Sequence, residues 1–303
     1  MKILVTGGAG FIGSHVVDAY IAQGHDVVII DNFSTGTKKN LNQKAKMYLC
    51  DINSPELMQI FEKEMPDIVN HHAAQMNVRY SIEDPLHDAQ INILGLLNVL
   101  NCCIKTQVKK IIFISSGGAM YGDAKAIPTP ESTYPEPLSP YGLAKFVGEE
   151  YVKLYARLYG LKYSILRYAN VYGPRQNPKG EAGVVAIFID RILQNKQPII
   201  YGDGNQTRDY VYVMDLVEAN LLSLTKGNNQ AFNIGTGKQT SVNELLKILL
   251  QVMNKQTKPI FESKRQGEVE KGALDCTAAK KILEWDAKHT LQQGLQKTVE
   301  GFK

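Results

Sequence analysis

The chain has 303 residues, of which 44% are hydrophobic, and its 34 Lys and Arg against 30 Asp and Glu leave a formal net charge of +4. This length and composition exclude a disordered chain and predict one or two compact domains. The small positive excess is spread along the chain, which excludes the concentrated basic stripe that a nucleic-acid partner requires.

The chain also lacks the apolar segments that mark secretion or membrane insertion. Met1 and Lys2 lead directly into a short apolar run, with no stretch long enough for a signal peptide. The longest apolar-leaning segment, 91–104, contains three asparagines and is shorter than the roughly 20 residues that span a bilayer. The four cysteines form no CxxC pair, as expected of reduced thiols. We expect a soluble cytoplasmic protein without a membrane partner.

Short apolar, β-branched runs alternate with segments of helical spacing through the first half of the chain. The predicted strands are 3–6, 26–31, 45–49, 68–71, 110–115 and 163–168, and the predicted helices between them are 13–23, 54–65, 89–106 and 141–159. Several strands are continuous apolar runs, which are typical of a parallel sheet covered on both faces. The alternation predicts an α/β fold with a Rossmann-type doubly wound parallel sheet.

Turn-forming sequences become frequent after Arg167, and the predicted elements become shorter. We predict helices at 184–193, 241–253 and 277–283, a short strand at 259–262, and one further strand of the main sheet at 232–234. This pattern indicates a smaller α+β lobe formed by two parts of the chain. Between these two parts the chain returns to the first domain.

Three glycines, Gly7, Gly10 and Gly13, are spaced three residues apart between the first predicted strand and the first helix. Glycine permits a tight turn and the close approach of a pyrophosphate, which the free N–H groups at a helix start can bind. The next strand ends in Asp31, whose carboxylate suits an adenosine ribose and repels a 2′-phosphate. The pattern predicts NAD rather than NADP; a purely structural glycine turn is the alternative.

Residues that follow the later strands extend this predicted cofactor site, because the carboxyl ends of parallel strands meet at one edge of a sheet. The complete predicted set consists of Gly7, Gly10, Phe11, Ile12, Gly13, Asp31, Asn32, Asp51, Ile52, Ala73, Ala74 and Gln75. The adjacent His71 and His72 have no partner at metal-ligand spacing. We therefore predict a packed or hydrogen-bonded role for them and no metal site.

Tyr141 and Lys145 are four residues apart at the start of a predicted helix. Residues at this spacing share a helix face, so the ammonium is expected beside the phenol. A neighbouring cation favours the phenolate and lowers the pKa of a phenol from about 10, which gives a general base near neutral pH. We predict a catalytic pair that also contacts NAD; a solvated surface pair is the alternative.

With these motifs the chain resembles the extended short-chain dehydrogenases/reductases, and more narrowly the nucleotide-sugar epimerases of the UDP-glucose 4-epimerase type. The resemblance covers nearly the whole length and also includes the segments 115–122, 166–175, 202–209 and 265–268. It implies an NAD-dependent isomerase that interconverts UDP-galactose and UDP-glucose through a transient 4-keto sugar. It further implies a homodimer formed by the helices 89–106 and 141–159.

The same resemblance divides the chain and supplies a substrate site. Residues 1–172 and 210–238 correspond to the NAD-binding domain, and residues 173–209 and 239–303 to a nucleotide-sugar-binding lobe. Arginines bind the diphosphate, an acid accepts from the uridine ribose, and apolar residues border the uracil. The implied substrate residues are Ser116, Tyr141, Asn170, Val184, Val185, Tyr201, Arg208, Arg265, Glu268 and Gly272. Surface ion pairs of Arg208 with Asp209 and of Arg265 with Glu268 are the alternative.

One departure from the family pattern concerns the third catalytic residue. Family members usually carry Ser or Thr where this chain has Gly117, and that hydroxyl binds the reacting group. We expect Ser116 to act from the neighbouring position; alternatively Tyr141 acts without it.

A second departure separates possible reactions. Related dehydratases and UDP-glucuronate decarboxylases carry an acid where this chain has Gly118-Ala119, which favours plain epimerisation over those two reactions. A UDP-glucuronate 4-epimerase and a non-catalytic NAD-binding protein also remain alternatives.

Gly272 stands where the family has a residue that gates the pocket near the sugar C2. A tyrosine there excludes N-acetyl groups, and a smaller residue admits them. The resemblance therefore implies that UDP-GlcNAc and UDP-GalNAc are accepted as well; a glycine that only forms a turn is the alternative.

Overall fold

The computed structural model describes residues 1–178, 183–264 and 269–302 of the chain. Two of the implied substrate residues, Arg265 and Glu268, lie outside the described residues. Within the described parts, no helix combines the length and the apolar character needed to cross a bilayer.

A seven-stranded parallel sheet forms the centre of the larger domain. Its strands are β1 (Lys2–Thr6), β2 (Asp26–Asp31), β3 (Lys46–Leu49), β4 (Ile68–His71), β5 (Lys110–Ser116), β6 (Lys162–Tyr168) and β11 (Gln230–Ile234). Their order is β11-β6-β5-β4-β1-β2-β3, and every neighbouring pair is parallel. The predicted α/β fold class is confirmed, and so is the return of the chain to the sheet at 232–234.

Helices cover both faces of this sheet. In the larger domain they are α1 (Phe11–Ala22), α2 (Glu56–Glu64), α3 (Val78–Glu83), α4 (Pro85–Ala89), α5 (Gly95–Lys105), α6 (Gly117–Met120), α7 (Pro140–Tyr159) and α9 (Val213–Ser223). The ends of α7 follow ordinary capping rules: Ser139 accepts from the N–H of Gly142, Pro140 occupies the first turn, and Gly160 ends the helix with a left-handed φ of +73°.

The single helix predicted over 89–106 is interrupted in the structure. A π-helical turn, Gln90–Leu94, separates α4 from α5. The wider turn places Asn92 inside, where its amide accepts from the N–H of Gln75 at 3.1 Å and donates to the carbonyl of Gln75 at 2.8 Å. Apolar periodicity cannot reveal this interruption, because its cause is a contact with a loop that follows another strand.

The described part of the smaller lobe contains short paired strands and three helices. Its elements are α8 (Val184–Leu193), β8 (Ile199–Tyr201), β9 (Thr207–Arg208), β12 (Thr240–Ser241), α10 (Val242–Met253), β13 (Ile260–Glu262) and α11 (Leu291–Glu300). The strands β7 (Asn170–Tyr172) and β10 (Tyr210–Tyr212) pair in parallel where the lobe meets the larger domain. Our sequence analysis did not predict α11, although Thr290 and Gln293 form a capping box at its start.

The C-terminal part of the chain contributes to the core of the larger domain. Leu274, Leu283 and Trp285 belong to the same buried cluster as residues of β1 and β6. The indole N–H of Trp285 donates to the carbonyl of Asp215 at 2.7 Å, which ties this segment to the start of α9. This segment, which follows the small-lobe elements up to β13, therefore packs in the core of the larger domain.

Candidate active site

The glycine turn brings the chain close to itself at the carboxyl end of β1. Gly7 adopts a left-handed φ of +70°, and a Cβ there would lie 2.7 Å from the backbone nitrogen of Ala73. A Cβ on Gly13 would lie 2.3 Å from the carbonyl oxygen of Gly7. Gly10, the N-cap residue of α1, has no side chain to accept from the first-turn N–H groups. These groups are therefore available to an anionic ligand.

Asp31, at the end of β2, is buried and held by backbone donors. Its Oδ2 accepts from the N–H of Ala9 at 2.9 Å and its Oδ1 from the N–H of Phe33 at 2.8 Å. Each carboxylate oxygen has two lone pairs, so acceptor capacity remains for ribose hydroxyls. This agrees with the role that the sequence predicts for Asp31.

Asp51 is fixed in the same way after β3. Its Oδ2 accepts from the Asn32 amide at 2.8 Å, and its Oδ1 accepts from the N–H of Asn53 at 2.8 Å. Burial raises the pKa of this carboxyl, but the hydrogen bonds from Asn53 and Asn32 leave the pKa below its ordinary value. The carboxylate therefore stays ionised next to Ile52, where the sequence places the adenine.

All twelve predicted cofactor residues line one cleft with a volume of about 600 Å³. This volume is typical of small-molecule sites. The cleft continues to Ser116, Tyr141 and Lys145, so it joins the glycine turn to the predicted catalytic residues. His72 also lines it, and its buried Nε2 has no hydrogen-bond partner in the described protein. The free N–H groups at the start of α1, the Asp31 carboxylate and the unpaired Nε2 of His72 are together suited to bind a dinucleotide.

Several residues that our sequence analysis did not single out also line this cleft, among them Met76, Asn77, Tyr80, His87 and Ile91. They belong to α3, to α4, to the π-helical turn 90–94 and to the loop that precedes α3. Only the tertiary fold brings these segments over the sheet edge, and no local motif marks them. The other histidine of the adjacent pair, His71, is buried, and its Nδ1 forms a hydrogen bond with the Thr6 hydroxyl at 2.8 Å. This is the packed, hydrogen-bonded role predicted for it.

The structure brings Tyr141, Ser116 and Lys145 together. Ser116 and Tyr141 line the same end of the cofactor cleft, and Ser116 acts to lower the pKa of the Tyr141 phenol. The Lys145 ammonium is buried, donates to the carbonyl of Ile114 at 3.0 Å and lies 5.8 Å from the centre of the Tyr141 ring. The three residues therefore meet at one end of the cofactor cleft.

Gly117 cannot carry the usual hydroxyl in this chain. A Cβ on Gly117 would lie 2.6 Å from the Leu274 side chain, which fills that space. The neighbouring Ser116, the last residue of β5, has a hydroxyl and lines the cofactor cleft. The absence of the family serine is thus linked to a packing contact with a distant segment.

The prediction that the pKa of Tyr141 is lowered is wrong for the protein without bound ligands. Burial raises the pKa of this phenol to about 12; the hydrogen bond from Ser116 opposes the rise, and the charge of Asp88 adds to it. Burial also lowers the pKa of Lys145 to about 8, although the carboxylates of Asp88 and Glu149 act in the opposite direction. Desolvation dominates both groups because they lie deep in the cleft, a depth that the four-residue spacing does not reveal.

A buried ion pair between Arg167 and Glu149 holds the helix that carries Tyr141 and Lys145. Arg167 binds both oxygens of Glu149, at 2.9 Å from Nε to Oε1 and 2.6 Å from Nη2 to Oε2. Glu149 also accepts from Ser115 at 2.7 Å, and Arg167 donates to the Tyr121 hydroxyl at 2.7 Å. The network joins α7 to β5 and β6, so it fixes the helix that carries Tyr141 and Lys145.

A second, smaller cleft contains Asn170, Arg208, Gly272 and the glycines of α6. Arg208 donates to the carbonyl of Thr207 at 2.8 Å. Asp209 is buried and accepts instead from Thr236, Gly237 and Leu274, so the alternative of an Arg208–Asp209 surface ion pair does not apply. The guanidinium thus has no carboxylate partner among the described ion pairs and lines the cleft where the sequence analysis expects a diphosphate.

The residues expected to border the uracil are not part of either cleft in the described chain. Val185 is buried in the apolar core of the small lobe, so its side chain is not available to a ligand. Val184 is half-buried at the start of α8, and Tyr201 is half-buried at the end of β8. The apolar pattern of a helix does not distinguish a pocket wall from a core, and here the core contacts account for Val185.

Comparisons with known proteins identify the family. The model of the NAD dependent epimerase/dehydratase family matches residues 3–235. The chain belongs to this family. The inferred resemblance to extended short-chain dehydrogenases/reductases is confirmed, as is NAD as the cofactor.

Individual members of this family are similar over their whole length. A putative UDP-glucose 4-epimerase of Methanocaldococcus jannaschii is 51% identical, covering 99% of this chain and 98% of its own. The UDP-glucose 4-epimerase of Thermotoga maritima, solved with UDP-glucose, has a TM-score of 0.98 at 52% identity over 100% and 98% of the two chains. The Thermus thermophilus enzyme, solved with NAD, has a TM-score of 0.94 at 39% identity over 100% and 99%.

The glycine turn provides a direct test of the cofactor cleft. We expect Gly13→Ala to lower NAD affinity at least about tenfold, because the added methyl group would push the turn away from its position. Titration of the purified protein with NAD measures this. Gly272→Ala is the matched control, since its methyl group meets nothing within 4 Å and lies outside this cleft. Equal affinity for the Gly13 variant and the unchanged protein would contradict the placement of NAD.

Proposed function

We propose that this chain interconverts UDP-galactose and UDP-glucose as an NAD-dependent 4-epimerase. The observation that carries the proposal is the meeting of Ser116, Tyr141 and Lys145 at the end of the NAD cleft. The second cleft, with Arg208 and Asn170, lies beside the same residues through Gly117 and Gly118. A bound sugar with its diphosphate in that cleft has its reacting carbon within the reach of the catalytic residues.

Tyr141 performs the proton chemistry of the proposed reaction. As the phenolate it accepts the proton of the sugar C4 hydroxyl, with Ser116 hydrogen-bonding the same oxygen, and it later returns this proton. NAD, when bound, would supply a reversible acceptor for the C4 hydride and a positive charge that favours the phenolate. Lys145 holds the phenolate charge and the cofactor ribose. Between the two transfers the 4-keto sugar turns about its diphosphate linkage, so that C4 is reduced on its other face.

The loop next to the site favours epimerisation over elimination or decarboxylation. Those reactions use an additional carboxylate at the positions of Gly118 and Ala119, and neither residue here can supply one. A Cβ on Gly118 would lie 3.3 Å from the Asn170 amide oxygen, so this position is also close to the proposed sugar site. The chain therefore moves a proton and a hydride without an added acid.

In the proposed enzyme, the cofactor and the substrate are bound by different lobes. We assign NAD binding to residues 1–172 and 210–238, and nucleotide-sugar binding to residues 173–209 and 239–303, where Arg265 and Glu268 complete the diphosphate and ribose contacts. The segment around Trp285 serves both lobes, since it packs in the larger core. We place the enzyme in the cytoplasm, which agrees with its four free cysteines.

Substitution of the proposed base tests the reaction. We expect Tyr141→Phe to lower kcat about 10²–10⁴-fold, since the proton acceptor is lost, and to leave NAD affinity nearly unchanged. NMR detection of UDP-glucose formed from UDP-galactose, without added reductant, measures turnover. Tyr159→Phe, at the exposed end of the same helix, is the control. A Tyr141→Phe enzyme with normal turnover would refute the assignment.

Gly272 supports acceptance of N-acetylated sugars. A Cβ at this position meets nothing within 4 Å, so a larger side chain would begin in open space beside the second cleft. We expect the unchanged enzyme to epimerise UDP-GlcNAc, and Gly272→Tyr to lower kcat/KM for that substrate on the order of 10²-fold while UDP-galactose is little affected. Gly272→Ala is the control for the substitution itself. Equal activity of Gly272→Tyr on both substrates would exclude the gate.

We further propose a homodimer formed through α5 and α7. Both helices present apolar side chains to solvent, and on α7 these recur at helical spacing as a single stripe: Leu143, Val147, Tyr151, Leu154 and Leu158. Leu94, next to α5, is 50% exposed, as is Leu143 on α7. The two helices pack side by side, so together they offer a continuous apolar surface.

A charge on this surface tests the dimer. We expect Leu94→Glu to shift the protein from dimer to monomer, because a buried carboxylate without a partner is unfavourable in an apolar interface. Sedimentation equilibrium measures the mass. Leu193→Glu, an exposed apolar position at the end of α8, should leave the mass unchanged. A monomeric unchanged protein would rule the dimer out.

A further inference from the structure

Asp88, in the short helix α4, is a carboxylate buried behind the catalytic residues. Only 1% of its surface is exposed. Its Oδ1 accepts from the Gln75 side-chain amide at 2.7 Å and from the Asn92 amide at 2.9 Å. Among the described residues, no Lys, Arg or His forms an ion pair with it. Asp88 is therefore a buried charge that has only amide donors as direct partners.

A buried charge of this kind needs an opposite charge nearby, because desolvation otherwise neutralises it. Helix α4 packs against α7, which carries the buried ammonium of Lys145. Burial raises the pKa of Asp88, and the hydrogen bonds from Gln75 and Asn92 and the charge of Lys145 oppose this rise; burial lowers the pKa of Lys145, and the charge of Asp88 opposes that fall. The other carboxylate that acts on Lys145, Glu149, already has a bidentate partner in Arg167. The uncompensated negative charge near Lys145 is thus that of Asp88.

Asp88 is also connected to the wall of the cofactor cleft. Gln75 lines this cleft, and its backbone is held on both sides by Asn92. Asp88 binds the side chains of both residues and so closes a small network between the loop after β4 and the π-helical turn. Since Gln75 cannot move without breaking these bonds, the network fixes the shape of the cleft.

We propose that Asp88 is a positioning residue of this active site, which holds Gln75 in the NAD cleft and supplies the counter-charge that keeps Lys145 protonated beside Tyr141. Its role in turnover rests on the proposed epimerase function, whereas its effect on NAD binding does not. Asp88 does not line the cofactor cleft, and it acts through Gln75, Asn92 and the field at Lys145.

The groups around Asp88 determine the sign of the expected pH effect. His87 lies on the same helix as Asp88, α3 packs against this helix and carries Arg79, Tyr80 and Glu83, and α7 contributes Tyr141, Lys145 and Glu149. His71 and His72 face Lys145 from the end of β4, and burial keeps the pKa of each near 3, so both are neutral at physiological pH. The Asp88 carboxylate raises the pKa of both Lys145 and Tyr141. Removing its charge therefore lowers both.

The substitution Asp88→Asn tests the counter-charge, because asparagine keeps an oxygen that accepts from Gln75 and Asn92 while the charge is lost. NAD affinity, titrated without sugar between pH 6 and 10, reports the protonation of Lys145, whose pKa lies at about 8. We expect the inflection to move to lower pH by about 1 unit in Asp88→Asn. The kcat profile for UDP-galactose should move in the same direction. The control is Glu83→Gln, which removes an equal charge from an exposed position at the end of α3.

A second variant tests the network. Asp88→Ala removes both hydrogen bonds, and we expect it to lower NAD affinity at least about fivefold more than Asp88→Asn does. An unshifted inflection in a folded Asp88→Asn protein overturns the counter-charge, and equal NAD affinity of the Ala and Asn variants overturns the network. If the unchanged protein does not convert UDP-galactose, the proposed function fails, while the two NAD titrations still decide the role of Asp88.

Discussion

The burial of the Lys145 ammonium at the carboxyl edge of the sheet is the constraint on which the surrounding structure depends. A charge removed from water needs compensation, and here the carbonyl of Ile114, the ring of Tyr141 and the field of two carboxylates supply it. These partners come from three elements, since Tyr141 and Glu149 both belong to α7. Strand β5, helix α7 and helix α4 must therefore meet in one arrangement before the ammonium can stay charged.

The parallel sheet makes this meeting possible. The carboxyl ends of β1, β2, β4 and β5 lie at one edge of the sheet. The glycine turn, Asp31 and Ser116 therefore line one cleft. The Glu149–Arg167 pair then holds α7 against β5 and β6. Such a buried pair contributes fixed geometry more than stability, because desolvation of its charges offsets most of the attraction. Fixed geometry is what a proton transfer between Tyr141 and a sugar hydroxyl requires.

Residues that the second lobe contributes pack next to the site from outside the sheet. Leu274 occupies the space beside Gly117, and Asp209 holds the backbone of Leu274 together with Thr236 and Gly237. The space beside Gly117, the neighbour of Ser116, is therefore filled by a segment more than 150 residues away in sequence. Substrate lobe and catalytic edge are mechanically connected through this contact, and the buried Trp285 extends the connection to α9.

Sequence alone determined the alternation of strands and helices, the glycine turn with Asp31, and the Tyr141–Lys145 pair, because each is a local pattern that a single element expresses. The strand and helix limits agree for the long periodic segments, such as 184–193, where one amphipathic face specifies the element. The π-helical turn at Asn92, the pKa values of Tyr141 and Lys145, the burial of Val185 and the role of Asp88 were decided only by the tertiary structure. Each of them depends on desolvation or on a contact between elements distant in the chain, and neither quantity is present in the local order of residues.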